Sequence, residues 1–151
     1  MIISFCGHRD FISNKKTYIN LLTVLDKLIA KYRHIEFYCS YQGNFDLYIL
    51  KFLNDNKNTF VHKYKINLIT PYINDKRLFS LKNMVDNIVF PPIENINPKY
   101  AINATNKWKI DNSDILISNI DHTWGGAYLT YRYAITHKKT IINLNSINGC
   151  I

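Results

Sequence analysis

Short apolar runs and amphipathic stretches take turns along this chain, and that alternation restricts its fold more than any other feature. Residues 2–6 form an apolar run that stops at Gly7, the pattern of a strand followed by a turn. Apolar residues then recur at Ile19, Leu22, Leu25, Leu28 and Ile29, the spacing of a helix with one buried face over 15–32, with Asn14 in position to cap it. A second strand is expected at 35–39 and a second turn at Gly43-Asn44. Leu47, Ile49, Leu50 and Leu53 then supply the apolar side of a helix over 45–53, capped by Asn44. Further strands are expected at 66–70, stopped by Pro71, at 115–118 and at 140–144, with helices over about 101–111 and 128–137. Strands alternating with helices imply an α/β fold in three layers: a mostly parallel sheet of about five strands with helices on both faces.

The stretch 72–100 is less regular. It holds a weak strand at 88–90 and Pro91-Pro92, which cannot lie inside a helix. Because it still carries Leu78, Phe79, Leu81 and Met84, it reads as an excursion over the sheet edge and not as a linker. Residues 1–151 therefore read as a single domain, a length that suits one and leaves no room for two.

Composition narrows the function classes. A hydrophobic fraction of 47% with 20% charged residues is that of a globular chain. No apolar run approaches the roughly 20 residues of a membrane helix, and the first residues lack the basic region and cleavage pattern of a signal peptide. A cytoplasmic protein without a membrane partner is expected. Cys6, Cys39 and Cys150 are an odd count with no C-x-x-C pair, which argues against a disulfide framework or a cysteine zinc site. Cys6 and Cys39 each end an apolar run and read as small buried hydrophobes. The five histidines show no metal-ligand spacing along the chain, so neither a metal nor a cofactor is expected. The net charge of +8 suits an anionic partner. The lysines are nevertheless dispersed, and Lys, Asn, Ile and Tyr are abundant together, as AT-rich coding produces. Nucleic acid is the least favoured partner for that reason.

In open parallel sheets, ligands bind beyond the carboxyl ends of the strands. That rule selects the loops 7–9, 40–46, 71–72 and 122–127, where the polar and glycine residues of this chain gather. Gly125-Gly126, beside Ala127, would let a ligand approach the backbone at a helix start, where free N–H groups and a partial positive charge favour phosphate or carboxylate. A tight turn alone would also account for the pair. Arg9 is suited to a bidentate phosphate contact, and His8 to donating a hydrogen bond or transferring a proton. Asp46 either accepts from a ribose hydroxyl or favours its helix start electrostatically. Asn106 is a candidate to reach the crevice with its amide. Trp124 is the better candidate for stacking on a base, whereas Tyr128 and Tyr131 at helical spacing read as packing residues. Asp111 and Asp114, around the start of a strand, read as caps.

Taken in order, Phe5-Cys6-Gly7-His8-Arg9, Gly43-Asn44-Phe45-Asp46, Pro91-Pro92-Ile93-Glu94, Asn106-Lys107-Trp108, Ile110-Asp111-Asn112-Ser113-Asp114 and Trp124-Gly125-Gly126-Ala127, continuing through Thr130 to Ala134, span almost the whole chain. In that order and spacing the sequence resembles the SLOG superfamily of Rossmann-like proteins, and within it the small bacterial YpsA-like proteins of unknown activity. The resemblance implies a nucleotide-derived ligand over the glycine turns, at Gly7, Arg9, Gly43, Asp46, Asn106, Gly125, Gly126 and Thr130, and a homodimer, since relatives are often dimers. Two departures stand out. The second glycine-rich loop is reduced to Ser40-Tyr41-Gln42-Gly43-Asn44, and an arginine common before the helix asparagine is replaced by Thr105. The LONELY GUY phosphoribohydrolases of the same superfamily look similar at Gly-Gly-x-Gly-Thr, but follow it with a glutamate that helps break an N-glycosidic bond. Here Gly125-Gly126 is followed by Ala127-Tyr128-Leu129-Thr130-Tyr131-Arg132, without a glutamate. The first expectation is therefore a protein that binds or senses a nucleotide-type small molecule. The second is a hydrolase or transferase acting on an N-glycosidic bond, with Asp46, His8 or Asp121 as substitute catalytic residue. Nucleic-acid binding comes third.

Overall fold

The computed structural model describes residues 1–147. Six strands form one all-parallel sheet in the order β4-β3-β2-β1-β5-β6. They are β1 (Ile2–Gly7), β2 (Ile35–Cys39), β3 (Tyr64–Ile69), β4 (Asn87–Val89), β5 (Ile115–Asn119) and β6 (Thr140–Asn143). The helices are α1 (Lys15–Lys31), α2 (Asn44–Asp55), the short α3 (Arg77–Leu81), α4 (Ala101–Asp111) and α5 (Gly125–Thr136). This is the Rossmann-like three-layer architecture expected, with one strand more than the sequence suggested. The extra strand is the weak run at 88–90, which pairs with Asn67, Leu68 and Ile69 of β3 at the sheet edge. The excursion 72–100 thus leaves the sheet as α3 and returns as its outermost strand. Cys150 lies outside the described residues.

Alternation along the strands assigns the two faces. Ile3 and Phe5 of β1, Phe37 of β2, Ile66 and Leu68 of β3 and Ile117 of β5 point to one side, where Leu21, Leu25 and Ile29 of α1 and Phe45, Leu50 and Leu53 of α2 close over them. Cys6 and Leu116 point to the other side, against Ile110 of α4 and Ala134 of α5. Tyr128 and Tyr131 pack against this second cluster, as their helical spacing suggested. Cys6 and Cys39 are free and buried, as expected.

Helix ends hold the main corrections. Asn14 caps α1 as expected, its side chain accepting the Thr17 N–H at 2.9 Å. Helix α2 begins one residue earlier than expected, so Gly43 is its N-cap, Asn44 is its first residue, and no side chain caps it. Helix α5 begins at Gly125, three residues before the expected start, so the Gly-Gly pair is the first turn of the helix itself. Asp111 and Asp114 are not caps. Asp111 accepts the Tyr133 hydroxyl at 2.9 Å, and Asp114 accepts the Ile2 N–H at 2.7 Å, which holds the start of β1 beside β5.

Candidate functional site

Strand order reverses direction at β1, which has β2 on one side and β5 on the other. Chain leaving β1 and β2 and chain leaving β5 therefore part to opposite faces of the sheet, and a crevice opens between them beyond the carboxyl ends. A cavity of ≈ 490 Å³ occupies that crevice, lined from the β1–α1 loop, the β2–α2 loop, α4 and the start of α5.

Hydrogen bonds across the loops fix their relative positions. The Asn44 N–H donates to the Arg9 carbonyl at 3.1 Å, joining the loops after β1 and β2. The Asp121 N–H donates to Nε2 of the buried His8 at 3.3 Å, joining the loops after β1 and β5. Two glycines permit this convergence. A Cβ on Gly7 would fall on the side chain of Phe45, and one on Gly43 would lie 2.8 Å from Cα of Arg9. Gly125 and Gly126 serve no such packing. Gly125 has φ +88°, a conformation that disfavours side chains. Gly126 has ordinary helical space around it, and a Cβ there would meet no atom within 4 Å.

Eleven of the twelve residues picked from the sequence line this one cavity: Gly7, His8, Arg9, Gly43, Asp46, Asn106, Trp124, Gly125, Gly126, Ala127 and Thr130. Asn44 does not, because as the first residue of α2 it faces solvent. The loop at Pro71-Tyr72, the third of those selected, does not converge either. It lines a separate depression with Asp75, whose carboxylate is gripped by Arg77 at 2.8 Å and by the Tyr41 hydroxyl at 2.9 Å. Asp121 is exposed beside the cavity, with Oδ1 3.3 Å from Nε2 of His8.

The start of α5 carries no side-chain cap. Its first N–H groups thus lack the usual side-chain acceptor, and Gly125, Gly126 and Ala127 all face the cavity. The hydroxyl of the buried Thr130 bonds back to the Gly126 carbonyl at 2.9 Å and steadies that first turn. At the opposite wall Asp46, in the first turn of α2, accepts the Gln42 N–H at 3.1 Å. Burial pushes its carboxyl above the ordinary range, against the opposing pull of Lys109, the backbone N–H groups of Gln42 and Gly43, and Arg9.

Lys109 is the residue that sequence reasoning missed. It is 2% exposed, and its ammonium donates to Oγ of Ser40 at 2.6 Å and to the Phe5 carbonyl at 3.3 Å. It forms the cationic floor of the cavity beneath Asn106. Ile102, Asn106 and Lys109 all line the cavity and recur at i, i+4 and i+7, the spacing of one helix face, which is the signal that marks Lys109. Thr105 is buried and turned inward, its hydroxyl donating to the Ala101 carbonyl at 2.8 Å.

Two of the histidines meet in space although their sequence spacing gives no sign of it. His8 and His122, from loops at opposite ends of the chain, stack face to face with centroids 3.4 Å apart, and Trp124 stacks on His122 at 3.8 Å. Burial, reinforced by His122, lowers the pKa of His8 against the pull of Asp121 and Asp10. Trp124 is 67% exposed and offers its outer face at the cavity rim. No helix among the described residues is long and apolar enough to cross a membrane. No family model matches the chain, and no curated protein matches it.

Proposed function

We propose that this chain binds a nucleotide or nucleotide-derived small molecule in the cavity at the carboxyl ends of β1, β2 and β5, as a ligand-binding or sensing protein. The observation that carries the reading is Gly126. It lines the cavity, a Cβ there would meet no atom within 4 Å beyond its own helical turn, and it stands in the first turn of an uncapped helix. A glycine where the protein leaves room for a Cβ suits a ligand that needs the backbone itself. Around it the cavity supplies cations for phosphate in Arg9 and Lys109, an acceptor for hydroxyls in Asp46, and an aromatic face in Trp124. The resemblance to SLOG proteins points to the same ligand class.

A second reading has one observation of its own. Asp46 is a carboxyl facing the cavity whose pKa burial raises, the property a general acid for glycosidic-bond cleavage needs. Thermal unfolding in the presence of AMP, ADP, ATP, NAD⁺ and ADP-ribose tests both readings. A ligand at 100 times its Kd stabilises by about 2.7 kcal/mol, a rise of roughly 5–10 °C for a chain of this size. If no compound at about 1 mM moves the transition, the binding reading fails. Release of free base from the bound compound, lost in Asp46→Asn while affinity persists, would establish the enzyme reading over the sensor.

A further inference from the structure

We infer that His8, Asp121 and His122 form a binding site for a divalent transition-metal ion of the Zn²⁺ class, set in the wall behind the nucleotide cavity. One donor atom from each residue lies within 4.8 Å of the other two. Nε2 of His8 stands 3.3 Å from Oδ1 of Asp121, and Nε2 of His122 stands 3.8 Å from the same oxygen. Donors around a tetrahedral Zn²⁺ at about 2.1 Å sit about 3.4 Å apart. The first pair matches that spacing and the second is a few tenths of an ångström wider, but His122 must also leave its stack on His8 before its lone pair can face the ion.

A further observation points to a cation. Both ring nitrogens of His122 are shut off from solvent and have no hydrogen-bond partner among the described residues. A buried polar group without a partner is costly, and an ion is one of the few explanations for it. Nε2 of His8 accepts the Asp121 N–H at 3.3 Å, a long bond that it would exchange for the ion. Asp10, with Oδ1 3.9 Å from Nε2 of His122 and an exposed side chain, is a fourth donor within reach. The cluster also borders a second cavity of ≈ 200 Å³, lined by Asn14, Asn119 and Asn145, on the side away from the glycine turns. Two imidazoles with a carboxylate select Zn²⁺, Co²⁺ or Ni²⁺ over the harder Ca²⁺ and Mg²⁺.

Stacked imidazoles cannot both hold an ion in their ring planes. His122 must swing off His8 to ligate, and Trp124, stacked on its other face, moves with it. Metal binding is thereby coupled to the shape of the larger cavity, whose rim Trp124 forms.

The test is titration of untagged, chelator-treated protein with Zn²⁺ and Co²⁺, followed by calorimetry, Co²⁺ absorption and tryptophan fluorescence. One equivalent should bind with a change in fluorescence, and Trp124→Phe should remove the fluorescence change while leaving the metal affinity. His122→Phe keeps the aromatic stack and loses the donor. It should weaken Zn²⁺ by more than the roughly 10–100-fold that follows loss of an outer-shell partner, with metal-free thermal stability as the check that it is folded. Asp121→Asn provides the second variant, and His137→Ala, at an exposed site, should change nothing. Absence of saturable binding, retention of affinity in His122→Phe, or preference for Ca²⁺ or Mg²⁺ would each overturn the inference.

Discussion

Replacing Gly125 and Gly126 separately by Ala should move stability in opposite directions, although the two residues are neighbours in one helical turn. At Gly125 the backbone sits at φ +88°. A left-handed conformation costs a residue with a Cβ roughly 1–2 kcal/mol, whereas Ala returns roughly 0.4–1 kcal/mol by restricting the unfolded chain. Strain wins, and Gly125→Ala should lose about 0.5–1 kcal/mol. At Gly126 the φ is negative and a Cβ meets no atom within 4 Å, so only the favourable term remains. Gly126→Ala should gain about 0.5–1 kcal/mol. For a chain of this size the pair should therefore separate by roughly 2–8 °C in Tm, one below and one above the parent. Urea unfolding monitored by circular dichroism gives the free energies, and thermal unfolding gives the midpoints. If the proposed nucleotide ligand approaches the helix N–H groups, the stabilised Gly126→Ala protein should also bind it more weakly, because the new methyl occupies that part of the cavity. A Gly126→Ala protein that is less stable than the parent would refute the open space at that residue. One that is more stable and binds with unchanged affinity would refute close approach of ligand to this turn.

Lys109→Met should lose roughly 1.5–3 kcal/mol, the range for a hydrogen bond to a charged group, because Ser40 and the Phe5 carbonyl lose their donor in a buried place; urea unfolding measures it. Asp46 carries a pKa raised by burial above its ordinary value of 3.8, so the folded protein holds that proton more tightly than the unfolded chain does. Its contribution to stability is complete below pH 3.8 and is lost as pH rises through the folded value; the difference in unfolding midpoint between parent and Asp46→Asn should drift across that window, and a flat difference would exclude the burial effect. The Cys6 thiol is pushed up to about 12 by burial, and that of Cys39 is raised as well. In a Cys150→Ser chain neither should react with an alkylating reagent at pH 8 until the protein unfolds, which mass spectrometry reads directly.

How far the fold was legible depended on whether each signal was local. The strands at 2–6 and 115–118 are largely apolar runs buried from both faces, and 35–39 alternates fully buried with half-buried residues, so their positions were plain. The starts of α2 and α5 were displaced because glycine and asparagine disfavour helix interiors, and the first turn was therefore assigned to the loop. At α5 the displacement changed only the place of the pair: expected just ahead of the helix start, Gly125 and Gly126 form its first turn. The cavity lining was largely legible because one topological rule places every β–α loop at the same end of the sheet. Asn44 and the Pro71 loop were the exceptions, one through a register of one residue and the other because β3 stands two strands from the switch. Lys109 stayed hidden because lysine is seldom buried, although its helix face named it. The contact between His8 and His122 had no local signal at all, because it depends on β1 lying beside β5.

The two faces of the sheet are held in different ways, and the cavity lies on the less apolar one. Beneath α1 and α2 the strands present Ile3, Phe5, Phe37, Ile66, Leu68 and Ile117, each fully or almost fully buried. Such side chains contribute roughly 1.5–3 kcal/mol apiece. Beneath α4 and α5 the strands present Ser4, Cys6 and Ser118, and the helices answer with Thr105, Lys109 and Thr130, all buried. There the attachments are directional: Ser4 to Ser113 at 2.9 Å, Lys109 to Ser40 at 2.6 Å, Tyr133 to Asp111 at 2.9 Å. A neutral hydrogen bond such as that of Ser4 to Ser113 contributes only about 0.5–1.5 kcal/mol net, and one to a buried charged group such as Lys109 roughly 1.5–3, but all three fix atoms within a few tenths of an ångström. That exchange of stabilisation for placement suits the proposed role of Asn106, Lys109 and the first turn of α5 in holding a ligand. A ligand spanning Arg9, Gly43 and Gly126 would add contacts to the layer with the smallest apolar reserve, so its stabilising effect should be concentrated in α4 and α5.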